Sequence, residues 1–325
     1  MKKKNFNPLK PLQYPFADDA FMAQNRMHWI PNEINLSRDI MQYKDLDRYE
    51  KGIIKNIFRF FTQSDVEVGH AYTAYATAEE LPIEVDLMLK VFGATEAIHV
   101  KAYSYLIESL NFDDSIYTDF FDEPSLSIKY NIMQSLLDVL NNPISTKEEK
   151  LDASLYFTIL IEGCSLFGMF VGLLYYQSKL GLMQGIGQII TYSMRDEDLH
   201  VESMSKFFVY VSNITYEDIL RFKERFEPHF TFEDNVIDYF YESTVDRSAE
   251  IKEHIRYLFY ERINFIILLL SQRDEKEYEI FKNNFKHVSW VIEAQGAENV
   301  NNFHVQNTQY TKLNNNDLNI GEVQW

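Results

Sequence analysis

Apolar residues recur every three or four positions over most of this chain, the spacing that lines one face of an α-helix. Four stretches carry the pattern longest. The first runs from about Asp45 to Glu80 and stops before Pro82; the second runs from about Ile83 to Ser109. The third starts near Ser145, where Ser145 and Glu148 have the spacing of a capping box, and ends near Gly181. The fourth spans about Met183 to Ser212. A shorter helix precedes Asn141-Asn142-Pro143, and further helices are predicted over 215–227, 233–271 and 274–293. Residues 1–44, with Pro8, Pro11, Pro15 and Pro31 spread through them, read as an irregular arm lying over a helical domain at 45–297. From Glu298 the periodicity gives way to an Asn-rich segment, so 298–325 is expected to be a flexible tail, disordered in the free protein. It still carries Phe303, Tyr310, Leu313 and Trp325, which a purely solvating tail does not need, and so it reads as a docking segment.

Composition agrees with an all-α chain. Only 11 Gly and 8 Pro in 325 residues suit long uninterrupted helices, and 25 Phe with 21 Tyr predict a core rich in rings. A net charge of −18 repels a polyanion and argues against nucleic-acid binding. The opening Met-Lys-Lys-Lys is not followed by an apolar run, and the most apolar run, Leu166 to Tyr176, is too short to cross a bilayer. Cys164 is the lone cysteine, which rules out an internal disulfide. The expectation is a cytoplasmic, reduced protein away from membranes.

The chemistry sits where ionisable groups interrupt the apolar stripes. Asp65 shares a stripe with Ile54, Ile57, Phe58, Phe61, Val68 and Tyr72. Glu96 and His99 align with Leu89, Phe92 and Tyr103; Glu162 aligns with Ile159, Leu166 and Phe170; Glu197 and His200 align with Ile190, Met194 and Met204. A third Glu-x-x-His string, Glu67 to His70, falls on the polar side of its helix with Arg59 and Gln63 and reads as a surface pair. The order of an acid-bearing helix followed by a Glu-x-x-His helix occurs twice, with Asp65 and Glu96 31 residues apart and Glu162 and Glu197 35 apart. One Glu-x-x-His on a helix is usually a surface pair. Four carboxylates and two imidazoles, all facing inward from four helices, are instead the ligand set of a bundle holding two metal ions. Buried acids need a cation or a proton, and an oxygen-rich donor set favours iron or manganese over a thiolate zinc site. Tyr103, one turn beyond His99, faces the same interior and is a candidate redox-active phenol.

With these residues in view the chain resembles the small, radical-generating β subunit of class I ribonucleotide reductase. The segments that carry the resemblance are Phe60-Phe-Thr-Gln-Ser-Asp65, Glu96-Ala-Ile-His99-Val-Lys-Ala-Tyr103, Glu162-Gly163, Arg195-Asp196-Glu197-Asp198-Leu199-His200 and Trp29-Ile-Pro-Asn in the arm. It covers about residues 25–275. It implies a ferritin-like helical bundle, assembled as a homodimer, with Asp65, Glu96, His99, Glu162, Glu197 and His200 around a dinuclear centre. The expected pair is iron–iron, with manganese–iron and manganese–manganese also compatible with the ligands. It further implies a stable radical on Tyr103; by helical face and spacing, Leu166 and Phe170 are the candidates to shield it. Trp29, Asp196 and His99 would start a long-range transfer path, and Tyr310 would be a relay in a tail that docks on a large catalytic subunit. Two rivals stand beside this reading: a dimetal oxidase or desaturase of the same architecture acting on its own bound substrate, and, from a different class, an iron-storage or purely structural helical bundle.

Overall fold

A computed structural model describes residues 10–78, 81–242 and 244–288. Eleven α-helices and no strand occur among the described residues. Four of the helical segments form the central bundle: α3 (Arg48–Ala78), α4 (Ile83–Ser109), the run from α6 (Lys147–Leu155) to α7 (Leu166–Ser178), and α8 (Gln184–Lys206). Local signals fix their starts. Asp47 accepts from the backbone N–H of Tyr49 and Glu50 at the head of α3. Thr146 and Glu149 form the capping box of α6, one residue later than the Ser145–Glu148 pair predicted.

The third helix is not α-helical throughout. Between α6 and α7, Tyr156–Ser165 is π-helical, and every residue of that segment is buried. A second π segment, Phe207–Val211, ends α8. The whole run Lys147–Ser178 is long and apolar enough to cross a membrane, longer than the Leu166–Tyr176 stretch suggested, yet its apolar window is entirely inside the protein. It is the central helix of the core.

The arm differs from the irregular segment expected. It contains α1 (Pro15–Arg26) and α2 (Ser37–Asp45), and both do structural work. Asp39 of α2 accepts from the N–H of Ile186, and Gln42 accepts from that of Met183, so the arm caps α8 where the chain turns through left-handed Gly181 and Met183. Glu84 at the start of α4 accepts from the N–H groups of Gln13 and Tyr14. These bonds give a proline-rich segment the partners that its own sequence lacks.

Around the bundle stand α5 (Pro124–Asn141), α9 (Tyr216–Phe226), α10 (Phe230–Phe240) and α11 (Val245–Arg273). The helix predicted over 233–271 is therefore two, broken so that α11 can turn back across the π segment, α7 and α8. No helix follows at 274–288. Left-handed Glu275 ends it, and the next residues form a strap along α11. Asn264 bonds both the N–H and the C=O of Phe281, and Asn283 bonds the Tyr257 carbonyl, replacing helical partners. The rest of that prediction and the tail at 298–325 lie outside the described residues.

Candidate metal centre

Asp65 of α3, Glu96 and His99 of α4, and Glu197 of α8 bring one ligand atom each to within 4.8 Å of one another. Glu96, Glu162 of the π segment, Glu197 and His200 form a second such group. Glu96 and Glu197 belong to both, so two adjoining subsites share a pair of carboxylates, and each adds one acid and one imidazole of its own. All six side chains are at most 1% exposed.

Both imidazoles turn Nδ1 toward the acids. His99 Nδ1 is 3.1 Å from Glu197 Oε1, 3.4 Å from Glu96 Oε2 and 3.8 Å from Asp65 Oδ2. His200 Nδ1 is 3.0 Å from Glu96 Oε1, 3.2 Å from Glu197 Oε2 and 3.6 Å from Glu162 Oε1. Yet both oxygens of Asp65, both of Glu96, Oε1 of Glu197 and Nδ1 of His99 have no aligned hydrogen bond among the described residues. His200 Nδ1 does pair with Glu197 Oε2, but so many other crowded, unmatched donor atoms are the arrangement of ligands aimed at shared cations. Leaving them unmatched in a dry core would cost several kcal/mol per ion.

The protonation states tell the same story. Burial drives Asp65 well above the ordinary carboxylate range, with Glu96 adding to the shift. Burial also pushes Glu162 up to about 8. Burial works against the imidazolium of His99, but Glu96, Asp196 and Glu197 outweigh it and hold the ring well above its usual value. His200 is held up in the same way by Glu162, Glu197 and Glu96. Burial would raise Glu96 too, but His99 and His200 hold it below its ordinary value, so without metal it is Asp65, Glu162 and the two imidazoles that hold on to protons.

The surroundings of the two subsites differ. His99 Nε2 lies 3.3 Å from Asp196 Oδ2, which also accepts from Trp29 Nε1 at 2.8 Å. Arg195 contacts the other oxygen of Asp196 and the Met27 carbonyl, tying arm to bundle. Burial alone would raise Asp196, but His99, Arg195 and Trp29 hold its carboxyl below the ordinary value. On the other side Tyr72 donates to Glu162 Oε1 at 2.7 Å, and the Phe92 ring lies 4.3 Å from that of His200.

The sequence pattern of the family described as Ribonucleotide reductase, small chain, matches residues 6–266. The chain belongs to that family. Among curated relatives it is 29% identical over 324 residues to the protein named probable ribonucleoside-diphosphate reductase small subunit 048L of Invertebrate iridescent virus 3, covering 93% of this chain and 84% of that one. It is 34% identical over 215 residues to the similarly named small subunit 376L of Invertebrate iridescent virus 6, covering 63% of this chain and 59% of the relative's length. The fold matches the ribonucleotide reductase R2 subunit from Clostridium botulinum with a TM-score of 0.73 at 20% identity, over 90% of this chain and 91% of that one. The R2-like ligand-binding oxidase of Sulfolobus acidocaldarius shares the fold at a TM-score of 0.61 and 19% identity, over 79% of this chain and 90% of that one.

In this ribonucleotide reductase small-chain fold, the six residues chosen from the helical stripes lie together, and Trp29 and Asp196 lie beside them. Tyr103 is 1% exposed, its ring 6.5 Å from that of His99. Its hydroxyl meets no hydrogen-bond partner among the described residues and faces Asp65 and Ser193; burial, then Asp65, drives its pKa well above the ordinary phenol value. The ring stacked on it is Phe61, at 4.3 Å and 18°; Phe170 stands one ring further out, 5.5 Å from Phe61. Glu67 departs from the surface pair expected. His70 is exposed, but Glu67 is only 4% exposed, because α5 covers that side of α3 and brings Tyr130 to it. The bond from Tyr72 to Glu162 was not foreseen, although Tyr72 lies two turns after Asp65 on the same stripe. Tyr310 lies outside the described residues.

Proposed function

We propose that this chain is the radical-generating small subunit of a ribonucleoside-diphosphate reductase, active only with a large subunit that holds the ribonucleotide. The observation that carries this reading is the chain of contacts from Trp29 through Asp196 to His99, with Tyr103 buried against the same subsite. A self-contained oxidase has no need of an outward path.

Asp65, Glu96, His99, Glu162, Glu197 and His200 fit a pair of metal ions, by the donor set and by its unmatched lone pairs. When bound, such a pair supplies the oxygen-dependent oxidation that removes one electron from the Tyr103 phenol. Iron is the proposed pair, and the same donors suit manganese. Asp65 faces the Tyr103 hydroxyl and is the group positioned to take its proton. Phe61 and Phe170 keep the ring from water. Asp196 Oδ2 accepts from the indole of Trp29 and, with His99 Nε2 protonated, from the imidazole, so electron and proton movements there share one carboxylate. The tail at 298–325, with Tyr310 as relay, would dock on the large subunit of a cytoplasmic assembly built on a homodimer.

Metal analysis with electron paramagnetic resonance, after reconstitution with iron and oxygen, tests the proposal. Wild type should give a tyrosyl signal and reduce ribonucleotides only when the large subunit is added. Tyr103→Phe should keep about two metals per chain and lose the signal. Substrate oxidation by the chain alone, unaffected by Tyr103→Phe, would replace this reading with the oxidase.

A further inference from the structure

Glu162 is the one candidate ligand carried by non-α-helical backbone, and that backbone is held by a buried cation that the ligand set does not use. Lys129 on α5 is 2% exposed. Its Nζ donates to Glu233 Oε1 at 2.6 Å and to Ser165 Oγ at 2.8 Å, and it lies 4.7 Å from the centre of the Phe60 ring. Ser165 Oγ donates in turn to the carbonyl of Leu160 at 2.7 Å. Leu160 and Ser165 are five residues apart, the span of one π turn, and Glu162 and Gly163 lie inside it. The lysine thus fixes the orientation of the hydroxyl that clamps the turn bearing the ligand. Gly163 leaves little slack, since a Cβ there would sit 3.0 Å from the Thr158 carbonyl and 3.4 Å from Arg262 Cγ.

We infer that Lys129 is a positioning residue for Glu162, acting through Ser165 and the π turn that encloses the ligand. Two physical facts separate this role from mere core stability. A buried ion pair adds little net stability over an apolar filling of the same volume, so stability alone gives Lys129 and Glu233 little purpose. A π turn is the less stable helical form; if it relaxed to an α turn, the side chains it bears would be re-aimed by up to about 100°, one residue step of an α-helix. Glu162 would then leave His200 and Tyr72.

The inference rests on Glu162 serving as a metal ligand, and the test keeps the two ideas apart. The metal-free full-length chain is titrated with Co(II) and followed by visible absorption. Hydrogen exchange of 156–165 is measured separately on the metal-free chain. Ser165→Ala cuts the link and leaves the Lys129–Glu233 pair intact. It should weaken binding of the Glu162–His200 ion by roughly tenfold, the scale of losing a group that orients a ligand. The Asp65–His99 ion should bind as before, and exchange within 156–165 should quicken. Lys129→Met/Glu233→Gln, which leaves no buried charge unpaired, should do the same. Thr158→Val removes a buried hydroxyl of the same segment that has no partner among the described residues, and should behave as wild type. Wild-type binding and exchange in Ser165→Ala, an effect of equal size in Thr158→Val, or a silent Lys129→Met/Glu233→Gln would each overturn the inference. Failure of the wild-type chain to bind Co(II) would overturn the metal reading as well.

Discussion

His99 turns its Nε2 into Asp196, whereas His200, on the opposite side of the centre, has no partner for its Nε2 among the described residues and is walled by the rings of Phe92 and Tyr72. Both rings turn Nδ1 to the central acids, but the far nitrogen of one meets a carboxylate and that of the other meets only packing. A charge-assisted hydrogen bond of this kind contributes about 1.5–3 kcal/mol and fixes which nitrogen carries the proton. Aromatic walls contribute about 0.5–1.5 kcal/mol per pair and exclude water. On the proposed function this difference gives a direction: the Asp65–His99 side would lead outward through Asp196 and Trp29, while the Glu162–His200 side, packed against Phe92 and Tyr72, would not.

The two shared carboxylates are where that asymmetry should vanish. Glu197→Ala is expected to lose both ions and all radical signal, with helical content by circular dichroism nearly unchanged. His99→Ala should also abolish the radical, because the outward-wired subsite is gone. An unchanged radical yield in both variants would refute the ligand assignment. Next in size, Asp196→Asn should form the Tyr103 radical yet lower turnover with the large subunit by roughly 10–100-fold, the range seen when an orienting partner is lost. No substitution on the His200 side should separate radical yield from turnover in that way.

Acidity reaches both sides. Loading must expel protons from Glu162, which burial pushes up to about 8, and from both histidines, whose neighbouring acids outweigh burial and hold them above their usual range. Groups that are protonated in the free chain and deprotonated as ligands make affinity rise with pH. Mn(II) affinity should therefore climb between pH 6 and 8, by up to roughly tenfold per unit for each proton that leaves; a flat profile would contradict these protonation states. The smallest effect is expected at Phe61→Leu, which removes the ring stacked on Tyr103. It should cost about 1 kcal/mol of stability and shorten the radical lifetime several-fold while the metal content stays constant.

Much of this centre could be read from stripe positions. Asp65 and Glu67 are two residues apart, about 200° around a helix, and only Asp65 falls in line with Ile57, Phe61 and Tyr72. That angular argument picked the acid that faces the buried cluster, yet it misjudged Glu67 as wet. A helical wheel reports which side faces the bundle but not whether α5 covers the other side. The arm failed for the same reason. Its prolines argue against helix continuation, and its two short helices are held by bonds to α4 and α8 from residues far away in sequence.

The chain's periodicity by itself determined that this is an all-helical protein and which six ionisable side chains point inward, because a 3.6-residue repeat fixes direction around each axis. Only the tertiary structure decided that two of those acids are shared between subsites, that the Phe61 ring stacks on Tyr103, and that a π turn bonded from α5 presents Glu162. Local sequence sets rotation about an axis, whereas distances between axes depend on how whole helices pack.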